Sequence, residues 1–485
     1  MLTRFRNLFR RPVTPAGVRN FSASSAGRLS ADWITAPLSA DAAMRGHLGA
    51  IVTRSRDLER NNEWVRGFLR TLENNVIGSA GIGLQLRVKD LVTGRMDEIA
   101  NDRIETAWWQ WGRKGGCTVC GRHTWRDVQK LVVRTIARDG EVVIRKVTTA
   151  TGLKLQLLEA DLLDLDAHFV HATGNQVRFG VEMNADRAVV AYWLLGRHPG
   201  DSDFQTPMRN SIRIPADEII HLYLSERIDQ TRGMPWLIAS MKALKMLAGY
   251  SEAELVAART GAAKMGFFQK KTPDGWDGEV DGDGNLTMDA SPGTIEELPA
   301  GVEFKAWDSD HPNAGYGEFV KSQLRRVATS LGISYNTLSS DLEGVNYSSI
   351  RAGLLEEREV WKGLQTYLIE HFCEPLFTSW LELELITGRL GLPVEKMWKF
   401  NVPEFQGRRW SWVDPKKDME ASIMGIRAGL TSARKVIAEG GGDIYDVFNS
   451  IQADNALATE KGLSFPELVD APKAPPAAVM IDTED

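Results

Sequence analysis

Cysteine is scarce in this chain: Cys117, Cys120 and Cys373 are the whole complement among 485 residues. An odd, sparse count excludes a fold stapled by disulfides and fits a reducing compartment. No apolar run approaches the roughly eighteen residues that a membrane-spanning helix needs, so any membrane role would be peripheral. Excess positive charge is missing as well. Lys and Arg total 58 against 64 Asp and Glu, a net charge of −6, and the average surface has no pull on nucleic acid. The dipeptide Gly-Lys never occurs, which excludes a P-loop nucleotidase. GSAGIGLQ at 78–85 lacks the order and the preceding strand of a dinucleotide fingerprint. There is no G-x-S-x-G elbow and no internal repeat.

What is present is ordinary globular material, 43% apolar and 25% charged, in a chain long enough for two or more domains. Charge is unevenly placed. The first acid is Asp32, preceded by Arg4, Arg6, Arg10, Arg11, Arg19 and Arg28. Residues 1–40 therefore read as a disordered basic arm, a composition shared with mitochondrial transit peptides. Between 274 and 310 the balance inverts, with eleven acids against the single base Lys305. Residues 471–485 are Pro/Ala-rich and read as a disordered tail.

Periodicity divides the rest. Leu58, Trp64, Phe68, Leu72 and Val76 fall near i, i+4 spacing and predict one helical stretch over 41–78. Helices follow at 97–114 and 123–139, the second started by Thr124 with Asp127 three positions on. From 140 to 224 short β-rich runs alternate with turn residues, predicting a mostly antiparallel region. Pro235 opens a helix expected to reach Phe268. A Gly/Pro/Asp-punctuated insertion at 270–315 comes next, then a helix over 316–331 ended by Gly332. A polar loop spans 333–347. A helix over about 348–387 follows, kinked at Pro375. Further helical segments lie beyond 415.

Three constellations invite chemistry. Cys117-x-x-Cys120 with His123 offers three zinc ligands where a structural site needs four, and plain packing is the simpler reading. The acidic insertion mimics a calcium loop from Asp277 through Glu279, Asp281 and Gly282, but position twelve is Met288 rather than Glu. Glu159, Asp161, Asp164 and Asp166 lie near His168 and His171, as in a metal-dependent nuclease, though acids at turns between strands are commoner.

The strongest signal is a resemblance. SRDLERNNEWVRGFLRTLENNVIG, RDGEVVIRKV and QLLEADLLD occur in order along the chain. IPADEIIHLYLSERIDQTRGMPWL (with Gln230, Arg232 and Gly233), Asn346-Tyr347-Ser348-Ser349-x-Arg351 and WVDPKKDMEASIMGIRAGLTS complete the set. Together, over about 41–455, they resemble the lambda-type portal proteins of tailed bacteriophages.

That resemblance implies an α+β portal fold and a structural protein rather than an enzyme, with no cofactor and no metal. The implied parts are a wing at 41–235, a stem helix at 236–268, an acidic clip at 269–315 and a second stem helix at 316–331. A tunnel loop at 332–347, a long helix returning to the wing at 348–400 and a helical crown at 401–470 complete it. The implied assembly is a homo-oligomeric ring, expected as a dodecamer, at one capsid vertex. The implied partners are double-stranded DNA in the channel, the large terminase, the capsid or scaffolding protein and a head–tail adaptor. Channel-facing candidates are Ser339, Ser340, Asp341, Leu342, Glu343, Gly344, Val345 and Asn346, with Lys321, Arg325 and Arg326 on the stem helix. Lys321 and Arg325 share a helix face, suited either to phosphates or to acids of a neighbouring subunit. Docking candidates in the clip are Asp274, Asp277, Glu279, Asp281, Asp283 and Asp289.

Overall fold

A computed structural model describes residues 28, 35–201, 211–263, 266–270, 282, 302–306, 315–343, 346–410, 415–440, 442 and 444–462. The basic arm before residue 35 (Arg28 apart), nearly all of the acidic insertion and the tail lie outside the described residues.

The expected helix at 41–78 is three helices, α1 (Ala40–Met44), α2 (Leu48–Asn61) and α3 (Glu63–Leu72), with a π-helical turn over Glu73–Ile77. The break has a local cause. Asn62 leaves the helical region (φ −126°) and its side chain accepts a bond from the Val65 amide, so it caps α3 rather than continuing α2. Strand β1 (Gly83–Leu86) leads to α4 (Glu98–Trp111) and α5 (Trp125–Asp139). Thr124 and Asp127 form a complete reciprocal capping box, Asp doing the work usually given to Glu.

Among the described residues the strand pairs of the β region are antiparallel, as the alternation predicts, but they form two sheets. The next elements are β2 (Glu141–Thr149), β3 (Gly152–Leu158), β4 (Phe169–Val170), β5 (Gln176–Arg178) and β6 (Val181–Met183). Then come β7 (Val189–Leu195), β8 (Ser211–Pro215) and β9 (Ile219–Tyr223). One sheet has the order β3-β2-β9 and the other runs β4-β5-β6-β7-β8. The second sheet has a small core of its own around Leu163, Val181, Tyr192, Leu194 and Ile214.

Beyond β9 the turn around Pro235 delays the next helix, so α6 runs Met241–Ala263 rather than 235–268. Gly266–Lys270 is strand β10, paired antiparallel with β11 (Val302–Ala306), so the insertion leaves and returns through a two-stranded ribbon. Helix α7 (Tyr316–Leu331) ends at Gly332, which takes the left-handed conformation (φ 69°). The predicted polar loop contains a short helix, α8 (Tyr335–Ser339). The long helix is interrupted: α9 (Tyr347–Leu368) passes through a π-helical turn at Ile369–Cys373 into α10 (Glu374–Ile386). Pro375 supplies no amide, and the extra residue of the π turn sits just before it at the first turn of α10, where a missing amide is tolerated.

The chain closes with α11 (Met397–Phe400), β12 (Pro403–Gln406), α12 (Pro415–Arg427), α13 (Ala433–Glu439) and α14 (Ile444–Glu460). Strand β12 pairs with β1, register Gly83 to Gln406, so residues 403–406 return to the first part of the chain. The main core gathers around this closure. Trp108 stacks on Trp111 at 4.6 Å and meets Trp380, Phe377, Trp125 and Phe405 edge-on at 5.0–6.2 Å. Trp380, Phe377 and Leu376 are buried from α10, with Leu381 and Leu385 on the same side. By contrast α12 exposes Met419, Ile423 and Met424, and α14 exposes Tyr445, Phe448, Ile451 and Leu457.

One buried charge cluster joins these parts. Arg232, 2% exposed, donates from Nε to Glu141 (2.7 Å) and from its two terminal nitrogens to the carbonyls of Phe179 (3.0 Å) and Ala160 (2.9 Å). The other Glu141 oxygen accepts the Gly233 amide (2.9 Å) and lies 2.9 Å from His221 Nε2. Gly140 and Gly233 permit the approach: a Cβ on Gly233 would sit 2.1 Å from the Gly140 carbonyl oxygen, and one on Gly140 2.3 Å from Met234 backbone. Burial alone would push the Glu141 carboxyl up, but the Arg232 guanidinium, then His221, outweigh it and bring it down to about 2. A carboxyl depressed in the folded state stabilises above its unfolded value, near 4.5. That contribution is lost as pH falls from there toward about 2. Glu141→Gln strands a buried guanidinium and should lower unfolding stability by about 3–5 kcal/mol in urea titrations near neutral pH. The gap between variant and parent should narrow as the solution is acidified through that window.

Candidate functional site

Two regions concentrate chemistry: the acid/histidine cluster of the sheets and the segment between α7 and α9. The first does not assemble as the sequence suggests. Asp164 accepts the Asp166 amide in a turn. His168 packs edge-on against Phe179, and burial lowers its affinity for a proton. His171 Nδ1 contacts Thr173 (2.9 Å) and lies 3.7 Å from Glu182. The structure instead brings Glu159 and Asp161 to His198, whose Nε2 is 3.1 Å from Glu159 and 3.8 Å from Asp161. His198 enters from the connection after β7, far in sequence, and no local spacing signals it.

Asp161 is already committed, accepting from Arg56, which also binds Asp139 through two nitrogens. Arg138 adds a further pair of bonds to Asp139. The arrangement is an ion-pair knot holding α2 and α5 to the β3 end, and Glu159, Asp161 and His198 bring three ligand atoms within 4.8 Å of one another. Cys117 is buried, its Sγ meets the His123 carbonyl oxygen rather than the imidazole (3.5 Å), and burial pushes its thiol up to about 12. Cys120 is exposed and bonds Thr118. Cys117, Cys120 and His123 therefore form no ligand set among the described residues.

The α7–α9 segment is built more tightly than a polar loop. After Gly332, Ile333 and Leu338 turn into the core. Ser334 caps α8 by accepting the Thr337 amide (3.2 Å). The buried carboxylate of Glu357, from α9, accepts the Ser334 amide and the Thr337 hydroxyl (2.8 Å). Ser339 folds back onto the Tyr335 carbonyl (2.8 Å). Ser340 then takes a left-handed conformation (φ 56°) that only a reversal of the chain requires.

That reversal places Asp341 under Tyr335. Its carboxylate accepts the Tyr335 hydroxyl (2.8 Å) and the Glu343 amide (2.9 Å) and lies 3.6 Å from Lys321 Nζ. The Glu343 amide, then the Tyr335 hydroxyl, hold this carboxyl below the usual range. Lys321 and Arg325, one turn apart on α7, stand 5.9 and 5.6 Å from the centre of the Tyr335 ring. Arg326 is exposed. Leu342, 66% exposed, and Glu343 form the outer part, and Asn346 caps α9 by accepting the Ser349 amide (2.8 Å). Gly344 and Val345 lie outside the described residues, as do Asp274, Asp277, Glu279, Asp281, Asp283 and Asp289.

Among the described residues α6, the β10–β11 ribbon, α7, α8 and α9 follow one another along the chain, on a body of antiparallel sheets and helices. A family profile described as "Phage portal protein, lambda family" matches residues 26–365. The chain belongs to the lambda family of phage portal proteins.

The "Probable portal protein" of Halomonas phage phiHAP-1 is 34% identical over 452 residues, covering 91% of this chain and 87% of that relative. "Portal protein B" of Escherichia phage lambda is 22% identical over 475 residues, covering 89% of this chain and 88% of its own length. Among solved structures, the neck of an empty gene transfer agent particle aligns at TM-score 0.45 and 16% identity. That alignment covers 80% of this chain and 93% of the other.

Removing the Glu357 carboxylate should release the base of this portal loop. Glu357→Ala withdraws a charge-assisted acceptor from two donors, which removes about 1.5–3 kcal/mol of local stability. Amide exchange over Tyr335–Ser339 should then quicken by roughly ten- to a hundredfold in hydrogen-exchange mass spectrometry. The Trp108 core should keep its protection.

Proposed function

We propose that this chain assembles head to tail into a closed ring, a dodecamer, at one vertex of the capsid, and that double-stranded DNA passes through it during packaging and ejection. The ring docks the terminase motor and later the head–tail connector, and helps start capsid assembly. The observation that carries this reading is membership of the lambda portal family over most of the chain. Two physical features support it. A head-to-tail ring needs two different side surfaces that complement each other, and α12 exposes Met419, Ile423 and Met424 while α14 exposes Phe448, Ile451 and Leu457. A duplex carries one negative charge per roughly 1.7 Å of axis, so a conduit that lets it slide must not be strongly basic. A chain with net charge −6 and an acidic insertion meets that need.

In this reading the sheets and the α2–α5 helices are wing, α6 and α7 stem, the β10–β11 ribbon the base of the clip, and α12–α14 crown. The residues after α7, from Ser339 to Asn346, face the channel as the tunnel loop, with Lys321, Arg325 and Arg326 behind them. The acids from Asp274 to Asp289 either repel passing DNA or dock a basic surface on the motor. The protein acts as a conduit and has no catalytic role.

Native mass spectrometry and negative-stain imaging of the purified chain should show a closed ring of about a dozen copies around a hole. A species that stays monomeric even with its capsid and scaffolding partners present would refute the reading. Deleting 339–345 should leave rings intact and lower the yield of DNA-filled heads. Replacing the acids at 274, 277, 279, 281, 283 and 289 by their amides should abolish motor docking while rings persist; unchanged docking would assign those acids to the channel instead.

A further inference from the structure

We propose that Lys321, Arg325, Tyr335 and Asp341 form a latch that holds the loop against the stem helix of its own subunit, and that a polyanion opens it by competing for the two cations. The proposal rests on the portal reading for the identity of that polyanion, the DNA duplex.

The geometry makes the latch a closed set. Asp341 is contacted from three places: the Tyr335 hydroxyl on α8, Lys321 on α7 and the amide of Glu343 within the loop. The Tyr335 ring lies beside both Lys321 and Arg325, so the same aromatic group serves the acid through its hydroxyl and the cations through its face. Ser340, the residue that ends α8, takes the left-handed conformation and turns the chain so that Asp341 meets this point.

The latch is also poised to open. Lys321 and Asp341 retain 25% and 27% of their side-chain exposure, and Arg325 is exposed, so solvent ions and phosphates reach all three. The base of the loop is not so placed: Ile333, Leu338 and Glu357 are buried and stay fixed whether or not Asp341 lets go. Opening is thus confined to residues after Ser339. It would expose two cations one helical turn apart, the spacing at which both reach one phosphate backbone. Within one subunit, the partners of Lys321 and Arg325 are Asp341 and Tyr335 of the same chain.

Hydrogen-exchange mass spectrometry on the full-length chain, read at the Asp341 and Glu343 amides, tests this. Asp341→Asn should speed exchange there roughly fivefold, the loss expected for one partly exposed ion pair and its hydroxyl bond. Tyr335→Phe should give a smaller acceleration with the fold unchanged. A short blunt-ended DNA duplex added to the parent protein should reproduce the Asp341→Asn effect, and should add nothing to Asp341→Asn or to Lys321→Met/Arg325→Met. Exchange unchanged by Asp341→Asn would overturn the latch. Acceleration by Asp341→Asn with no response of the parent to duplex would overturn release by a polyanion. Ring formation and filled-head yield, measured on the same preparations, report separately on the portal reading. Failure there leaves the exchange result standing as a property of the subunit.

Discussion

The buried pairing of Arg232 with Glu141 is the contact on which the rest of the subunit is hung. Every donor of interest around it is used: Arg232 binds the carboxylate that opens β2 and the carbonyls of Phe179 and Ala160 beside the second sheet. His221 approaches from β9. A buried ion pair is not in itself a source of stability, because desolvation offsets its Coulomb attraction. Its value here is geometric. The pair has one arrangement that satisfies all partners, so the two sheets, the turn at 230–233 and the start of the path to α6 are fixed relative to one another. Gln230 reinforces this by accepting the amides of Glu226 and Arg227 and donating to the Arg232 carbonyl. Thr231 donates twice to Asp41 and so brings the first helix to the same place.

Seen from this centre, the legible and illegible parts of the sequence separate for physical reasons. Elements whose own side chains carry the decisive interaction are readable: the Thr124–Asp127 capping box, Gly332 as a helix stop, and the alternation of the β region. What the sequence hides are interactions whose partners are distant in the chain. Asn62 breaks an otherwise continuous apolar stripe with a single side-chain bond, and its neighbours give no warning. Pro375 announces an irregularity, but not that a π turn rather than a sharp kink absorbs it. Strand β12 is four residues without strong alternation, and only its pairing with β1, some 320 positions away, makes it a strand. His198 joins Glu159 and Asp161 by the same kind of long-range closure.

The loop after α7 shows this limit at the scale of function. Its polar composition suggests freedom, whereas Ser334, Thr337, Ser339, Asp341 and Asn346 each satisfy a donor or acceptor of the local backbone or a neighbouring helix. Short polar side chains compete with backbone for hydrogen bonds, so the same composition that marks a solvated loop also builds compact caps and turns. Periodicity cannot tell these apart.

Rigidity and looseness are therefore distributed by the kind of interaction, not by secondary structure. Around Arg232 the charges are buried, water is excluded and salt has little access, so that region is insensitive to ionic conditions. At Asp341 the same pairing chemistry is about a quarter exposed, and its strength depends on what else is in solution. Under the proposed conduit role, a frame that holds while a highly charged polymer moves past needs both kinds. A frame built from screenable pairs would soften whenever the polymer was present. A loop fixed by buried pairs could not follow the polymer. Burial sets the difference: 1–2% exposure for Glu141 and Arg232 against about a quarter for Lys321 and Asp341.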